Sequence, residues 1–128
     1  MEKKVVYTEK APRPIGPYSQ AVLVGGGKLL FVSGQIPIDP ATGEIVGETI
    51  EEQAERAIRN MLAIVEEAGG SAENIVKVTS FLSDIKDYPK FNEVYGKFFS
   101  GSKPARAVVE VSSLPKGVRV EIECIAVL

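Results

Sequence analysis

One arginine stands inside a stretch of the chain that otherwise has the composition of a buried strand. Arg106 lies within residues 103–111 (KPARAVVEV), where most of the neighbours are apolar. A guanidinium is rarely buried without a partner, and its planar fork of donors matches the two oxygens of a carboxylate. The segment therefore predicts a site that holds a small acid. The alternative is an arginine on a solvated strand face that pairs with a surface glutamate.

Two carboxylates alternate with apolar residues in the last predicted strand, residues 118–128. Glu121 and Glu123 are two positions apart, so they share one face of that strand. On a wet face they are ordinary solubilising residues. On a covered face a carboxylate needs a partner, and we expect Arg106, on the preceding strand, to supply it.

The residue types that are missing restrict the chemistry further. The chain has 128 residues, no histidine and one cysteine, which excludes the usual His/Cys zinc sites and any nucleophile activated by histidine. A net charge of -2 without a long basic run does not fit nucleic-acid binding. The sequence shows no signal peptide and no apolar run long enough to span a membrane. A lone cysteine cannot form an intramolecular disulfide, which favours a cytoplasmic protein.

The elements that must position these residues follow from periodicity and turn chemistry. A capping box of Thr49 and Glu52 opens the clearest helix, and Gly69-Gly70 ends it. Its apolar stripe consists of Ile50, Ala54, Ala57, Ile58, Met61, Leu62, Val65 and Ala68. Strands are predicted near residues 3–8, 20–24, 28–33, 75–82, 105–111 and 118–128. The second and third of these are expected to form a hairpin through Gly25-Gly26-Gly27. A second helix is expected to begin at Asp87 and Pro89.

This order predicts a single α+β domain with two helices on one face of a mixed sheet of about six strands. The last strand is apolar on both of its alternating sides, as is typical of a strand buried on both faces. Two helices can cover only one face of the sheet. We therefore expect a homo-oligomer whose sheets pack together.

Four motifs in this chain resemble those of the RidA (YjgF-type) family of enamine/imine deaminases. They are residues 15–20 (IGPYSQ), 33–37 (SGQIP), 104–106 (PAR) and 118–127 (VRVEIECIAV). The resemblance runs from about residue 8 to residue 127. It implies a chorismate-mutase-like α+β fold and a homotrimer with its clefts between subunits. It also implies hydrolysis of 2-iminobutanoate and 2-iminopropanoate to 2-oxo acids and ammonia, without a metal or cofactor.

The resemblance assigns roles to six residues. Arg106 would bind the substrate carboxylate, and Glu121 would position or activate water. The remaining four would line the cleft: Tyr18, Gly34, Ser33 and Asn92. Tyr18 would orient water or the imine nitrogen, and the backbone at Ser33 and Gly34 would approach the ligand carboxylate. The alternatives are a packing role for Tyr18, a bend at Gly34 and a surface role for Asn92.

One position departs from the family pattern. Many relatives have cysteine two residues after the arginine, where this chain has Val108. Cys124 is expected to be a small core residue instead.

Three functions other than imine hydrolysis are alternatives. The same cleft could serve a non-catalytic trimer that binds small acids and regulates a partner. An endoribonuclease and translation inhibitor is a further alternative, which the charge and the missing histidines disfavour. For a chaperone the sequence offers no evidence either way.

Overall fold

The computed structural model describes residues 2–128, which form six strands, two α-helices and three short 3-10 turns. The strands and helices are β1 (Glu2–Val6), β2 (Ala21–Gly25), β3 (Leu29–Gln35), α1 (Ile50–Glu67), β4 (Ile75–Leu82), α2 (Tyr88–Phe99), β5 (Ala105–Glu110) and β6 (Val120–Val127). Four strands form a mixed sheet in the order β3-β6-β4-β5. In it β6 is antiparallel to both of its neighbours, and β5 is parallel to β4. The predicted α+β class is confirmed.

The strands β1 and β2 form an antiparallel ribbon beside the four-stranded sheet. A parallel bridge between Ser19 and Ala105 connects the segment before β2 to the start of β5. There the Ser19 backbone N–H donates to the Pro104 carbonyl at 3.3 Å. This bridge fixes the loop that carries Tyr18 next to the strand that carries Arg106.

The predicted hairpin between β2 and β3 is wrong, because the two strands pair with different partners. The Gly26 and Gly27 backbones have φ values of 72° and 80°, a region that glycine enters without strain. The chain turns there out of the ribbon and into the sheet, where Lys28 and Leu128 exchange backbone hydrogen bonds of 2.8 and 2.9 Å. The partner of β3 is therefore β6, about 100 residues further along the chain, and not β2 as the glycine turn had predicted.

Both helices pack on one face of the sheet, and the core lies between these two layers. Thr49 and Glu52 form the predicted capping box of α1, which satisfies N–H groups that have no partner within the helix. Cys124 lies in this core, as predicted. Burial, with the nearby Glu123 charge, raises the pKa of Cys124 to about 12, so the thiolate needed for nucleophilic chemistry is scarce at neutral pH.

The opposite face of the sheet is exposed and partly apolar. Leu29, Phe31 and Val109 are 63%, 69% and 43% exposed, respectively, and Phe31 lies beside Ile125 in the register of β3 and β6. Large apolar side chains exposed on one face of a sheet make that face a candidate contact surface. None of the helices within residues 2–128 combines the length and the apolar character needed to cross a membrane.

A buried glutamine connects α1 to the start of β6, the strand that carries Glu121. Gln53 is 6% exposed; its amide donates to the Gly47 carbonyl at 3.0 Å, and its oxygen accepts from the Arg119 N–H at 2.8 Å. Replacing Gln53 by leucine should lower the free energy of unfolding by about 1–3 kcal/mol, because two part-buried backbone groups, the Gly47 carbonyl and the Arg119 N–H, lose their partners. Urea denaturation measures this change. The control Glu55→Gln alters only an exposed ion pair of α1 and should stay within about 0.5 kcal/mol; equal losses in both variants would contradict the prediction.

Candidate functional site

Arg106 lies on the helix-covered side of the sheet, at the edge strand β5. It is in register with Val78 of β4, which is fully buried beneath the helices. Its guanidinium reaches the first turns of α2, where Nη1 donates to Asn92 Oδ1 at 2.7 Å and Nη2 donates to the Tyr88 hydroxyl at 2.8 Å. Both partners are neutral. They fix the orientation of the guanidinium and leave its charge uncompensated.

Three tyrosine rings surround the same guanidinium. The Arg106 Cζ atom lies 4.7 Å from the ring centroid of Tyr95, 4.9 Å from that of Tyr18 and 5.7 Å from that of Tyr88. These are cation–π distances. Burial raises the pKa of Tyr95 well above its ordinary value, and the Arg106 charge opposes part of that shift. Tyr95 therefore stays neutral at physiological pH and offers a ring face, not a counter-charge.

Within residues 2–128, no carboxylate forms an ion pair with Arg106. The two ion pairs found there join Arg59 to Glu55 and Arg119 to Asp87, each at 3.6 Å. A guanidinium has five N–H donors, and Asn92 and Tyr88 use two of them. The half-buried guanidinium of Arg106 therefore keeps three free donors and its full positive charge. Such a group can bind the carboxylate of a ligand.

The loop before β2 places Tyr18 against this arginine. The Tyr18 backbone N–H donates to the Gly16 carbonyl at 2.8 Å, and the Tyr18 hydroxyl accepts from the Ile15 N–H at 3.2 Å. A Cβ at Gly16 would lie 3.0 Å from Arg106 Nη2, so the missing side chain lets the loop approach closely. The resulting cavity of about 160 Å³ is lined by Tyr18, Tyr88, Arg106 and Val108. We call these residues, with Asn92 and Tyr95, the arginine half-site.

Glu121, Gly34 and Ser33 form a second group, which we call the glutamate half-site. The pairing of β3 with β6 shifts register between Val32 and Gln35, and Ser33 and Gly34 lie in this irregular segment. A Cβ at Gly34 would overlap the Glu121 carboxylate. Gly34 thus lies at a register irregularity inside β3, and its missing side chain leaves the space that this carboxylate occupies.

Within one chain the two half-sites do not meet. The strand β4 lies between β5 and β6; Arg106 lies beside Val78 on the helix-covered face, whereas Glu121 lies beside Phe81 on the open face. The expected pairing of Arg106 with Glu121 is therefore wrong for a single chain. That prediction failed because β5, the strand that precedes β6 in the sequence, is not the neighbour of β6 in the sheet.

Three residues in or beside the arginine half-site contact Arg106 in ways that the sequence did not predict: Tyr88 and Tyr95 within it, and Gly16 next to it. Tyr88 and Tyr95 stand four positions before and three positions after Asn92, a spacing that places all three on one side of α2. That spacing is the signal that could have identified them. Gly16 belongs to the first motif, and its contact with Arg106 follows only from the folded loop.

Gly34→Ala is expected to act through Glu121 and to lower activity without unfolding the protein. The added methyl group must displace the Glu121 side chain, which is half-buried and has rotatable bonds. For the role in activating water that the family resemblance implies for Glu121, we expect a loss in kcat of roughly 10- to 100-fold, the scale of a misplaced general base. Turnover measured in a double-mutant cycle checks this: in a Glu121→Ala background the same alanine should have little further effect. Fully additive losses would contradict the proposed contact.

Comparisons with known proteins agree on one family. The family model described as Endoribonuclease L-PSP matches residues 8–128. A RutC family protein of Pyrococcus abyssi is 60% identical over 126 residues, which cover 98% of each chain. The human 2-iminobutanoate/2-iminopropanoate deaminase is 46% identical over 98% of this chain and 90% of its own. A crystal structure of E. coli TdcF with bound serine superposes with a TM-score of 0.74 at 44% identity, covering 98% of both chains. The chain therefore belongs to the Endoribonuclease L-PSP family, also called the YjgF/RutC/RidA family, as its motifs predicted.

Proposed function

We propose that this protein hydrolyses small 2-imino acids, such as 2-iminobutanoate and 2-iminopropanoate, to 2-oxo acids and ammonia. The observation that carries the proposal is Arg106, a half-buried cation whose partners are all neutral. A 2-imino acid presents the carboxylate that this fork would bind. The name of the human relative, at 46% identity, supports this substrate class.

The proposed reaction needs positioning and one proton acceptor. With the carboxylate held by Arg106, the imine carbon is fixed for attack by water. Water adds to this carbon while Glu121 takes a proton from the water and passes it to the imine nitrogen, which gives a carbinolamine. The carbinolamine then passes its hydroxyl proton to the nitrogen through Glu121 as the C–N bond breaks, which releases the 2-oxo acid and ammonia and restores the Glu121 carboxylate. Each step transfers only protons and water, so it requires no electron carrier.

The lining residues would orient the reacting atoms. The Tyr18 hydroxyl accepts from the Ile15 N–H, so its own proton is available to orient water or the imine nitrogen. Asn92 uses its oxygen for Arg106, and its amide nitrogen is the group that can donate to a ligand oxygen. The backbone at Ser33 and Gly34 would approach the substrate from the other side.

A homotrimer would bring the two half-sites together. Because Arg106 and Glu121 face opposite sides of the sheet, a shared site requires the glutamate half-site of a second copy. The open sheet face with Leu29 and Phe31 offers the apolar surface that would be buried in such an assembly. We propose three equivalent clefts, each built from two copies.

A second candidate is a regulatory trimer that binds small acids without turning them over. It would use the same Arg106 fork, and the serine bound to E. coli TdcF is a molecule of that size that also carries a carboxylate. An endoribonuclease, the activity in the family description, is less well supported. A net charge of -2 without histidine gives RNA neither a basic surface nor a histidine base.

A coupled assay tests the proposal. A threonine dehydratase that releases the enamine is combined with this protein, and 2-oxobutanoate formation is followed beside an Arg106→Ala control. Acceleration by the native chain, lost in the control, is the expected result. Binding of 2-oxobutanoate without any acceleration would overturn the enzymatic proposal and favour the regulatory trimer.

A further inference from the structure

The first two turns of α2 form part of the arginine half-site. Tyr88 is the first residue of this helix, and Asn92 follows one turn later. Their side chains bind the two terminal nitrogens of Arg106, at 2.8 and 2.7 Å. An arginine side chain has many rotamers, and ordering it costs free energy that binding would otherwise have to supply. Two acceptors on one rigid helix remove most of that freedom before a ligand arrives.

We infer that Tyr88 is a positioning residue: its hydroxyl holds the Arg106 fork in the orientation that receives the substrate carboxylate. The inference rests on the proposed function for the identity of that substrate. A carboxylate in place of Tyr88 would also hold the guanidinium, but it would neutralise the charge that the ligand requires. A phenol accepts one hydrogen bond and stays neutral, so it orients the fork and keeps its charge for the ligand.

The segment before Tyr88 is anchored well enough to make it a fixed point. The Ile85 N–H donates to Glu110 Oε1 at 2.9 Å, and the Lys86 N–H donates to Asp84 Oδ1 at 2.9 Å. Asp87 precedes the helix and pairs with Arg119 at 3.6 Å. The contacts of Ile85 and Asp87 tie the start of α2 to β5 and to the residue before β6, so the backbone that carries Tyr88 is anchored on both sides.

The ring of Tyr88 has a separate role from its hydroxyl. The ring helps to line the cavity of about 160 Å³ and lies 5.7 Å from Arg106 Cζ. The variant Tyr88→Phe keeps the ring and removes only the oxygen. It therefore tests the positioning role without opening the cavity wall, and its thermal unfolding should match that of the native chain.

The experiment compares Tyr88→Phe with the native chain and with Tyr7→Phe, a matched change at a tyrosine that is 52% exposed. We expect Tyr88→Phe to raise both KM and the Kd for 2-oxobutanoate roughly 5- to 20-fold. This increase is somewhat smaller than the one expected from the loss of a fully buried hydrogen bond to a charged group. We expect kcat to change less than about 3-fold, because Tyr88 does not touch the reacting atoms. NMR of the Arg106 guanidinium should show faster rotation of its terminal groups in Tyr88→Phe and no change in Tyr7→Phe.

Two outcomes separate failure of the inference from failure of the proposed function. If the native chain binds and hydrolyses the substrate and Tyr88→Phe matches it in KM, Kd and guanidinium rotation, the positioning role is overturned. If the native chain neither binds 2-oxobutanoate nor accelerates hydrolysis, the proposed function fails. In that case the guanidinium rotation still decides whether Tyr88 orders Arg106.

Discussion

Arg106→Lys is expected to reduce kcat/KM for 2-iminobutanoate roughly 100- to 1,000-fold. Lysine keeps the positive charge but has no planar fork, so it cannot bind a carboxylate through two parallel hydrogen bonds. It also cannot reach Asn92 Oδ1 and the Tyr88 hydroxyl at once, as the two terminal nitrogens of Arg106 do. Losing one or two hydrogen bonds to a charged group costs about 3–4 kcal/mol here, which corresponds to this range of rates.

The lysine variant is a sharper test than alanine, because alanine removes charge, fork and packing together. The matched control is Arg13→Lys, on the exposed loop before Tyr18, which should retain native kcat/KM. Steady-state measurements with dehydratase-generated imine give both values. Native activity in Arg106→Lys would show that a point charge suffices and would rule out the bidentate role.

Asn92→Asp is expected to weaken binding of 2-oxobutanoate by roughly 10- to 100-fold while preserving the fold. The change replaces a neutral oxygen, 2.7 Å from Arg106 Nη1, with a carboxylate of the same shape. That carboxylate would pair with the guanidinium and compete with the ligand for its charge, an effect of about 1.5–3 kcal/mol. Because an ion pair replaces a neutral hydrogen bond, the melting temperature should stay the same or rise slightly.

Calorimetric titration of 2-oxobutanoate measures this loss, with Lys97→Gln as its control. Lys97 is exposed on α2, and its replacement changes the net charge by the same amount without touching the site. The introduced carboxylate would have a lowered pKa beside Arg106, so its inhibition should persist through neutral pH and relax only on strong acidification. Equal affinity in Asn92→Asp and the native chain would contradict the view that neutral partners keep the Arg106 charge available.

The local elements were predictable because their signals are local. The capping box of Thr49 and Glu52 defines the start of α1, and the run of β-branched residues in 75–82 matches β4 at both ends. Arg106 could be selected because a guanidinium in an apolar strand requires an explanation. Each of these inferences uses residues within a few positions of one another.

The errors arose where distant segments decide the structure. The three glycines after β2 fit a hairpin, but β3 pairs instead with β6 at the far end of the chain. The face that Arg106 occupies depends on its parallel register with β4, and no periodicity in β5 itself encodes that pairing. The Tyr88 contact likewise requires the relative placement of α2 and β5. Strand order and cross-element contacts are global properties that a single sequence constrains weakly.

The central claim, that each catalytic site joins the arginine half-site of one copy to the glutamate half-site of another, is tested by mixing subunits. Arg106→Ala and Glu121→Ala chains carrying different tags are co-expressed, and hybrids are isolated through both tags. Each hybrid trimer, whichever chain it contains twice, has one site in three with both residues intact, so imine hydrolysis should recover to about a third of the native rate. Hybrids of Arg106→Ala with Arg106→Lys, which are defective in the same half-site, should show no recovery. Complementing hybrids that are no more active than their parents would contradict the two-copy site.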